Sequence, residues 1–237
     1  MVTIPAQFNG PDNSGNGGFV AGLLAAEVDA AGPITSTLRI PPPLDVPLSW
    51  EHADGEVRLL TAGGAVVGTA SRGNFARAAP ACPTQEQAAA GLAAYPGFAH
   101  HPFDRCFTCG TQRGEGDGLR LFTGPVAGDT DRTAGTWTPH PQFAGADGVI
   151  DEPVMWAALD CPGGWAADCA KNPMVLGRMT AEVRRRPRPD EPCVSTGVLH
   201  AQEGRKFLTG TALYAEGGEL LGRAEQVWIL IDPATFS

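Results

Sequence analysis

The chain reads as an α+β protein made of two related halves, each a helix followed by an antiparallel sheet. Three observations lead there. A helix-like apolar stretch is followed by strand-like stretches twice along the chain. A strand runs into a proline-rich kink twice, at Leu38 to Pro43 and at Met179 to Pro187. Finally, Gly63-Gly64-Ala65-Val66-Val67-Gly68-Thr69-Ala70 matches Gly217-Gly218-Glu219-Leu220-Leu221-Gly222-Arg223-Ala224. Any two Gly-Gly hairpins look alike, but the shared order of helix, strand, kink and hairpin favours a duplication. The expected boundaries are a first repeat over 1–80, a linker over 81–102 and a second repeat over 103–237.

Taken in order, residues 5–18 are rich in Gly, Asn, Asp and Pro and predict a loop. Phe19 to Val28 is helix-like and closes at Gly32-Pro33. Ile34 to Ile40 predicts a strand, ended by Pro41-Pro42-Pro43, which no central strand could hold. Glu56 to Leu60 and Ala65 to Phe75 predict antiparallel strands around a Gly63-Gly64 turn. A short helix is expected over Thr84 to Ala94. In the second half, strands are expected at Leu119 to Phe122, Arg132 to Thr138, Val175 to Val183, Val194 to Leu199, Phe207 to Ala215 and Leu220 to Ile231.

The most informative stretch is Gly148 to Trp165. Asp151 or Glu152 can cap a helix start there, and Pro153 suits the first helical position. Val154 to Leu159 is apolar nearly all round, as in a buried helix. Asp160 follows, just before Cys161-Pro162-Gly163-Gly164, where the helix is expected to bend or end. A carboxylate on a buried helix is costly unless something pairs with it or uses it, so Asp160 is the leading candidate for chemistry.

Composition narrows the rest. A 237-residue chain, 43% apolar, can form one large domain or two small fused ones. A formal charge of −9 and a pI near 5.0 exclude a general nucleic-acid binder. The start is polar and Gly-rich, with no signal peptide, and no apolar run reaches the length of a membrane span. A soluble cytoplasmic protein is expected. Its six cysteines could form disulfides, but reduced thiols are the expectation in that setting. Cys106 and Cys109 stand as C-x-x-C, with His100 and His101 near. A structural zinc site usually needs a second close pair, and Cys161 and Cys169 are poorly spaced for one, so packed thiols and no metal are expected. No G-x-S-x-G elbow, phosphate-loop motif or intact G-x-G-x-x-G is present.

Cys106-Phe107-Thr108-Cys109-Gly110, then Gly118-Leu119-Arg120-Leu121-Phe122, is similar to the C-F-x-C-G…G-L-x-L-x-F entry of one branch of hotdog thioesterases. Gly148 to Asp160 falls on that family's helix motif, G-x-x-H-G-G-x-x-x-x-x-x-D, with the acid in register. The whole chain resembles a double hotdog, in which two helix-plus-sheet repeats form a pseudo-dimer. The resemblance implies an active site shared between the repeats. The first Gly of the motif gives a backbone N–H to the thioester oxygen, and a carboxylate comes from the other helix. Asp160 lies about 12 Å along its own helix from that motif's glycine position, so it must serve a neighbouring helix start.

Asn16-Gly17-Gly18 retains the glycines, so Gly17 matches the oxyanion-binding position, but Ala25 stands eight residues on where the acid should be. In the second half the acid is Asp160, while Glu152 and Pro153 replace the glycines and Asp151 the histidine. Gly17 with Asp160 then makes one complete site, and Glu152 with Ala25 a dead one. Asp160 is expected to act as general base on water or to attack directly, giving a mixed anhydride. Gly17-Gly18 could instead serve close packing alone, and Asp160 a structural bond. Asn9, Asn13 and Asn16 lie where the family often has an amide orienting substrate or water, though Asn is also a turn former. Phe19, Leu23, Met155, Trp156 and Leu159 are expected to line an acyl tunnel or to form core. Arg184, Arg185 and Arg186, with Arg188, could bind coenzyme A phosphates or be a solvated charge run.

The function expected is hydrolysis of an acyl-CoA or acyl-carrier thioester at a single site. The substrate's coenzyme A is the sole cofactor, and the chain is a monomeric pseudo-dimer or a homodimer. The alternatives are a non-catalytic acyl-binding protein and a hotdog dehydratase or hydratase, whose usual Asp/His pair lacks its His at both helix starts.

Overall fold

The computed structural model describes residues 1–232. Ten antiparallel strands form one continuous sheet. The first half contributes α1 (Gly17–Ala26), β1 (Ile34–Leu38), β2 (Ser49–Ala53), β3 (Glu56–Leu60) and β4 (Val66–Arg72). Next come α2 (Gln85–Ala93), β5 (Gly124–Val126) and β6 (Asp129–Trp137). Then follow α3 (Glu152–Ala166), β7 (Met174–Val183), β8 (Cys193–Glu203), β9 (Lys206–Ala215) and β10 (Leu220–Leu230).

Strand order exposes the duplication. The sheet runs β2-β3-β4-β1-β7-β10-β9-β8-β6-β5. The four strands after α1 therefore appear in the same spatial order, reflected, as the four after α3, with β6 and β5 added at one end. The halves join where β1 pairs with β7, Ile34 opposite Ala181 and Thr37 opposite Arg178. The Thr35 and Thr180 hydroxyls lie 2.7 Å apart across that seam.

The helices repeat the symmetry. Numbered from Gly17 and Glu152, their first residues, Gly18 corresponds to Pro153, Gly22 to Ala157 and Ala25 to Asp160. A Cβ on Gly18 would stand 2.9 Å from Ala157 Cα, and one on Gly22 would stand 2.7 Å from Pro153 Cα. These are the same contact with the halves exchanged. Successive α1 residues meet earlier α3 residues, so the helices cross antiparallel, closer than any side chain there would allow.

Helix α3 departs from expectation. It does not bend or end at Cys161–Gly164 but continues through Pro162 to Ala166. An interior proline removes a backbone hydrogen bond and costs a helix about 3 kcal/mol or more. Here the sheet bonds carbonyls beyond the one that Pro162 leaves without its helical donor. Thr211 Oγ1 donates to Leu159 O at 2.6 Å, and Gln226 Nε2 donates to Leu159 O at 2.7 Å and Asp160 O at 2.9 Å. Thr133 Oγ1 donates to Pro162 O at 3.3 Å. Each such bond contributes about 0.5–1.5 kcal/mol net, so together they offset much of the loss. Gly163 keeps this face clear: a side chain on it would run into Gln226 and Thr209. Pro153 occupies the second helical position rather than the first, and the N-cap residue Asp151 makes no side-chain capping bond.

The predicted strand at Leu119 to Phe122 is not a strand. Leu119 N–H donates to Phe107 O at 2.8 Å and Leu121 N–H to Thr108 O at 2.9 Å. The segment zips onto the Cys106–Gly110 turn instead of the sheet, and Arg120 takes φ 51° to do so. Strands β2 and β5 lacked a strand signal; β2 is polar, and β5 carries Pro125 at the sheet edge, where a missing donor is tolerated. The short helix forms as expected, with Thr84 and Gln87 closing a capping box. Its Ala88 is buried with Val126, Ala134 and Val194.

Candidate active site at the crossing of the two central helices

A cavity of about 320 Å³ opens where the start of α1 meets the middle of α3. Its wall includes Asn16, Gly17, Cys106, Asp160, Cys161 and Leu176, and the exposed residues Arg39, Ile40 and Pro41 stand at its mouth.

Asp160 is 2% exposed. Its Oδ2 accepts a hydrogen bond from the Gly18 N–H at 2.9 Å. Its Oδ1 is buried with no hydrogen-bond partner among the described residues. Burial drives the carboxyl well above the usual carboxylate range, the Gly18 N–H pulls it partly back, and the nearby Cys106 sulfur pushes it up again. Asp160 is therefore fixed on one oxygen and free on the other. A buried carboxylate left half-satisfied is expensive, and such groups are retained where chemistry uses them.

The start of α1 faces it. Asn16 is the N-cap, its Oδ1 accepting from the Phe19 N–H at 2.9 Å. That leaves Gly17, the first helical residue, with no intrahelical acceptor for its N–H, at the positive end of the helix. Three residues singled out by sequence, Gly17, Asn16 and Asp160, thus meet on one cavity wall. The donor that Asp160 touches is Gly18, one residue beyond the expected position.

The other expected site residues lie elsewhere. Asn13 is exposed outside the cavity lining. Asn9 is buried and serves the loop, its Nδ2 donating to Gly10 O at 3.1 Å. Phe19 is core, stacked on Phe8 with ring centroids 3.9 Å apart. Trp156 is 1% exposed and packs where the two helices touch. Leu23, Met155 and Leu159 likewise line no part of the cavity. The arginines are taken by acids: Arg184 pairs with Glu182 at 3.1 Å, Arg185 with Glu191 at 2.7 Å and Glu219 at 2.8 Å, and Arg186 with Asp147. They brace the strand ends around β7 and are absent from the cavity lining. Among arginines and lysines, Arg39 alone reaches that lining, at the mouth. Its position just before Pro41-Pro42-Pro43 was a signal the sequence offered and charge clustering hid.

Sequence reasoning also missed the third wall. The turn Cys106–Gly110 is bound to both halves: Phe107 N–H donates to Asn9 O at 2.7 Å, and Thr108 Oγ1 donates to Ala157 O at 3.2 Å. The thiols of Cys106, Cys109 and Cys161 lie within 4.8 Å of one another. Hydrogen bonds from Cys109 and Cys161 hold the Cys106 thiol well below its usual range, while the other two are pushed up. Spacing along the chain gave Cys161 no place beside the C-x-x-C pair; continuation of α3 supplies it.

At the opposite end of the crossing the counterparts carry neither group. Pro153 stands where Gly18 would be and has no N–H, and Ala25 stands where Asp160 would be.

No protein-family model matches the chain, and no curated protein matches it. Solved structures do. The TesB protein of Mycobacterium avium subspecies paratuberculosis aligns over 94% of this chain and 89% of its own, at 16% identity and TM-score 0.59. A thioesterase candidate from Novosphingobium aromaticivorans aligns over 98% and 94%, at 15% identity and TM-score 0.59. A hotdog-fold protein of unknown function from Alicyclobacillus acidocaldarius aligns over 98% and 92%, at 11% identity and TM-score 0.61. Over 46% of its length the chain also matches 53% of a thioesterase superfamily protein, at 20% identity and a TM-score of only 0.42. The fold is a double hotdog. No helix among the described residues is long and apolar enough to cross a membrane.

Proposed function

We propose that the chain hydrolyses an acyl thioester, of coenzyme A or of an acyl carrier, at a single site between its halves. The observation that carries this is Asp160: buried in a cavity wall, bound through one oxygen to the opposite helix start and unpartnered on the other. The thioester carbonyl oxygen is placed at the start of α1, where the Gly17 N–H and the helix dipole favour the negative charge that develops on attack. Asp160 Oδ1 takes a proton from water, the water oxygen bonds to the carbonyl carbon, and collapse breaks the C–S bond. The thiolate leaves and takes up a proton. Arg39 at the mouth is suited to the phosphates of the carrier, and the mainly apolar wall to the acyl group. The step needs no cofactor beyond the coenzyme A of the substrate.

Free-thiol release from short, long and aromatic acyl-CoAs tests the reading. Turnover should be lost in Asp160→Asn and kept in Glu152→Gln; the reverse pattern would move the site to the other half. Hydrolysis in ¹⁸O-water followed by digestion identifies direct attack when label enters Asp160, because water then opens the mixed anhydride at the aspartyl carbonyl, whereas base catalysis puts label only in the product acid. The Gly18 bond also favours a second reading, a ligand-binding hotdog protein in which Asp160 ties two helices together. Saturable acyl-CoA binding without thiol release by the wild-type chain would establish that reading instead.

A further inference from the structure

We propose that Cys106, Cys109 and Cys161 bind a single thiophilic divalent cation of the zinc class, with the fourth coordination position turned toward the cavity. All three thiols are buried, and their sulfurs lie within 4.8 Å of one another. A zinc–sulfur bond of about 2.3 Å sets tetrahedral thiolates about 3.8 Å apart. The Cys106 and Cys161 sulfurs are 3.8 Å apart as they stand, and the Cys109 sulfur lies within 4.8 Å of both.

The backbone is built for it. Cys106 and Cys109 sit on a tight turn closed by the Gly110 N–H donating to Cys106 O at 2.8 Å. A side chain at Gly110 would come within 2.7 Å of Asp104 O and Cys106 N, so only glycine fits. Asn16 Nδ2 lies 3.6 Å from Cys106 Sγ, the kind of N–H···S contact that orients a metal-bound thiolate. Further hydrogen bonds pin the turn through the Cys109 carbonyl, which accepts from Tyr95 Oη at 2.9 Å.

The fourth ligand is not His101. Its Nδ1 accepts from the Phe103 N–H at 2.9 Å and its Nε2 lies 3.1 Å from Cys109 O. Nor is it Cys169, which lies outside the cluster. The three cysteines line the cavity together with Asp160, so water or a ligand in the cavity completes the tetrahedron. Binding is balanced by release of the thiol protons: the cation and three thiols give a tris-thiolate complex of net charge −1. The ion would lock the C-x-x-C turn onto α3 beside Asp160. It takes no part in the hydrolytic step proposed above, and the reading of that step does not depend on it.

The test is a Co²⁺ titration of the full chain, reduced, chelator-treated and kept without oxygen. One equivalent should bind, with thiolate-to-cobalt charge-transfer bands in the near ultraviolet and strong visible bands of a tetrahedral site. Zn²⁺ should displace it one for one. Cys161→Ser should weaken binding by about 100-fold or more, since loss of an outer-shell partner alone costs about 10–100-fold. Cys169→Ser should change nothing. The proposal is overturned if the wild-type chain, with its thiols shown free by titration, develops no charge-transfer bands. It is equally overturned if Cys161→Ser keeps the wild-type spectrum and affinity, or if Cys106 and Cys161 form a disulfide under reducing conditions. None of these readouts depends on thioester turnover.

Discussion

The two ends of the α1–α3 crossing are related by exchange of the halves and carry different residues. At one end Gly17 and Gly18 open α1, and Asp160 reaches across to the Gly18 N–H. At the other end Glu152 and Pro153 open α3, and Ala25 faces them without a carboxylate. The contact geometry has been conserved through the exchange of halves, as the matched Gly18–Ala157 and Gly22–Pro153 approaches show. Only the residues set around that contact differ. Helix packing accounts for Gly22, whereas Asp160 adds a hydrogen bond to the opposite helix start and leaves its second oxygen unpartnered among the described residues. A site assembled from unlike halves needs each half to keep just one role: a helix start that donates, or a helix middle that carries an acid.

The sharpest way to break this comparison is Asp160→Asn. Under the proposed mechanism it removes the general base and should lower kcat by about 10²–10⁴-fold, while Glu152→Gln stays within about twofold. Steady-state thiol release from both variants decides it, and equal losses would mean that the two ends are not functionally distinct.

Next in size is Gly18→Ala. The added methyl would meet Trp156 O at 2.7 Å and Ala157 Cα at 2.9 Å, both backbone atoms of α3. Overpacking of this kind costs about 1–3 kcal/mol and would push the helices apart. Gly22→Ala at the other end should destabilise by a similar amount, measured by denaturant unfolding, yet only the former should also abolish turnover. If both retain activity in the folded protein, the approach of Gly18 to Asp160 is not needed.

A smaller effect lies in pH. The folded-state pKa of Asp160 is raised, chiefly by burial, so between the ordinary carboxylate range and that raised value the native chain holds a proton that the unfolded chain has lost. Stability contributed by this group is thus present at low pH and declines as pH climbs through the window, by at most about 1.4 kcal/mol per pH unit. Activity should move the opposite way, rising as Asp160 ionises. Unfolding curves across pH for wild type and Asp160→Asn should show the decline only in the former; parallel curves would mean that the carboxyl titrates normally.

The smallest effect belongs to the mouth. Arg39→Ala should raise KM for acyl-CoA by about threefold, the scale of an exposed ion pair, and Arg184→Ala should leave it alone. A KM change confined to Arg184→Ala would return phosphate binding to the arginine run.

Much of the fold was legible because the repeat writes itself in local signals: glycine turns, proline kinks and a helix entered through Asn16-Gly17-Gly18. Asp160 was legible because a charge in an apolar run has few explanations. What was hidden depended on partners distant in the chain. Pro162 signals a helix end, and only Thr133, Thr211 and Gln226 from the sheet explain why α3 passes through it. Leu119 to Phe122 carries strand propensity that the Phe107 and Thr108 carbonyls override. Cys161 belongs with Cys106 and Cys109 for the same reason: proximity across 55 residues leaves no trace in spacing. The arginine run was conspicuous as a charge cluster, but its acids at Asp147, Glu182, Glu191 and Glu219 were scattered, so their pairing could not be read.

The seam between β1 and β7 carries a further consequence. In a site shared between separate subunits, half-sites are lost as the protein is diluted below its dissociation constant. Under the proposed mechanism the Gly17 donor and the Asp160 acid travel on one chain, held by the register from Ile34–Ala181 to Thr37–Arg178. Bringing them together is a first-order event at a fixed effective concentration. Activity per molecule should therefore hold steady on dilution, and a lesion in one half cannot be rescued by the intact half of a neighbour unless chains exchange those strands.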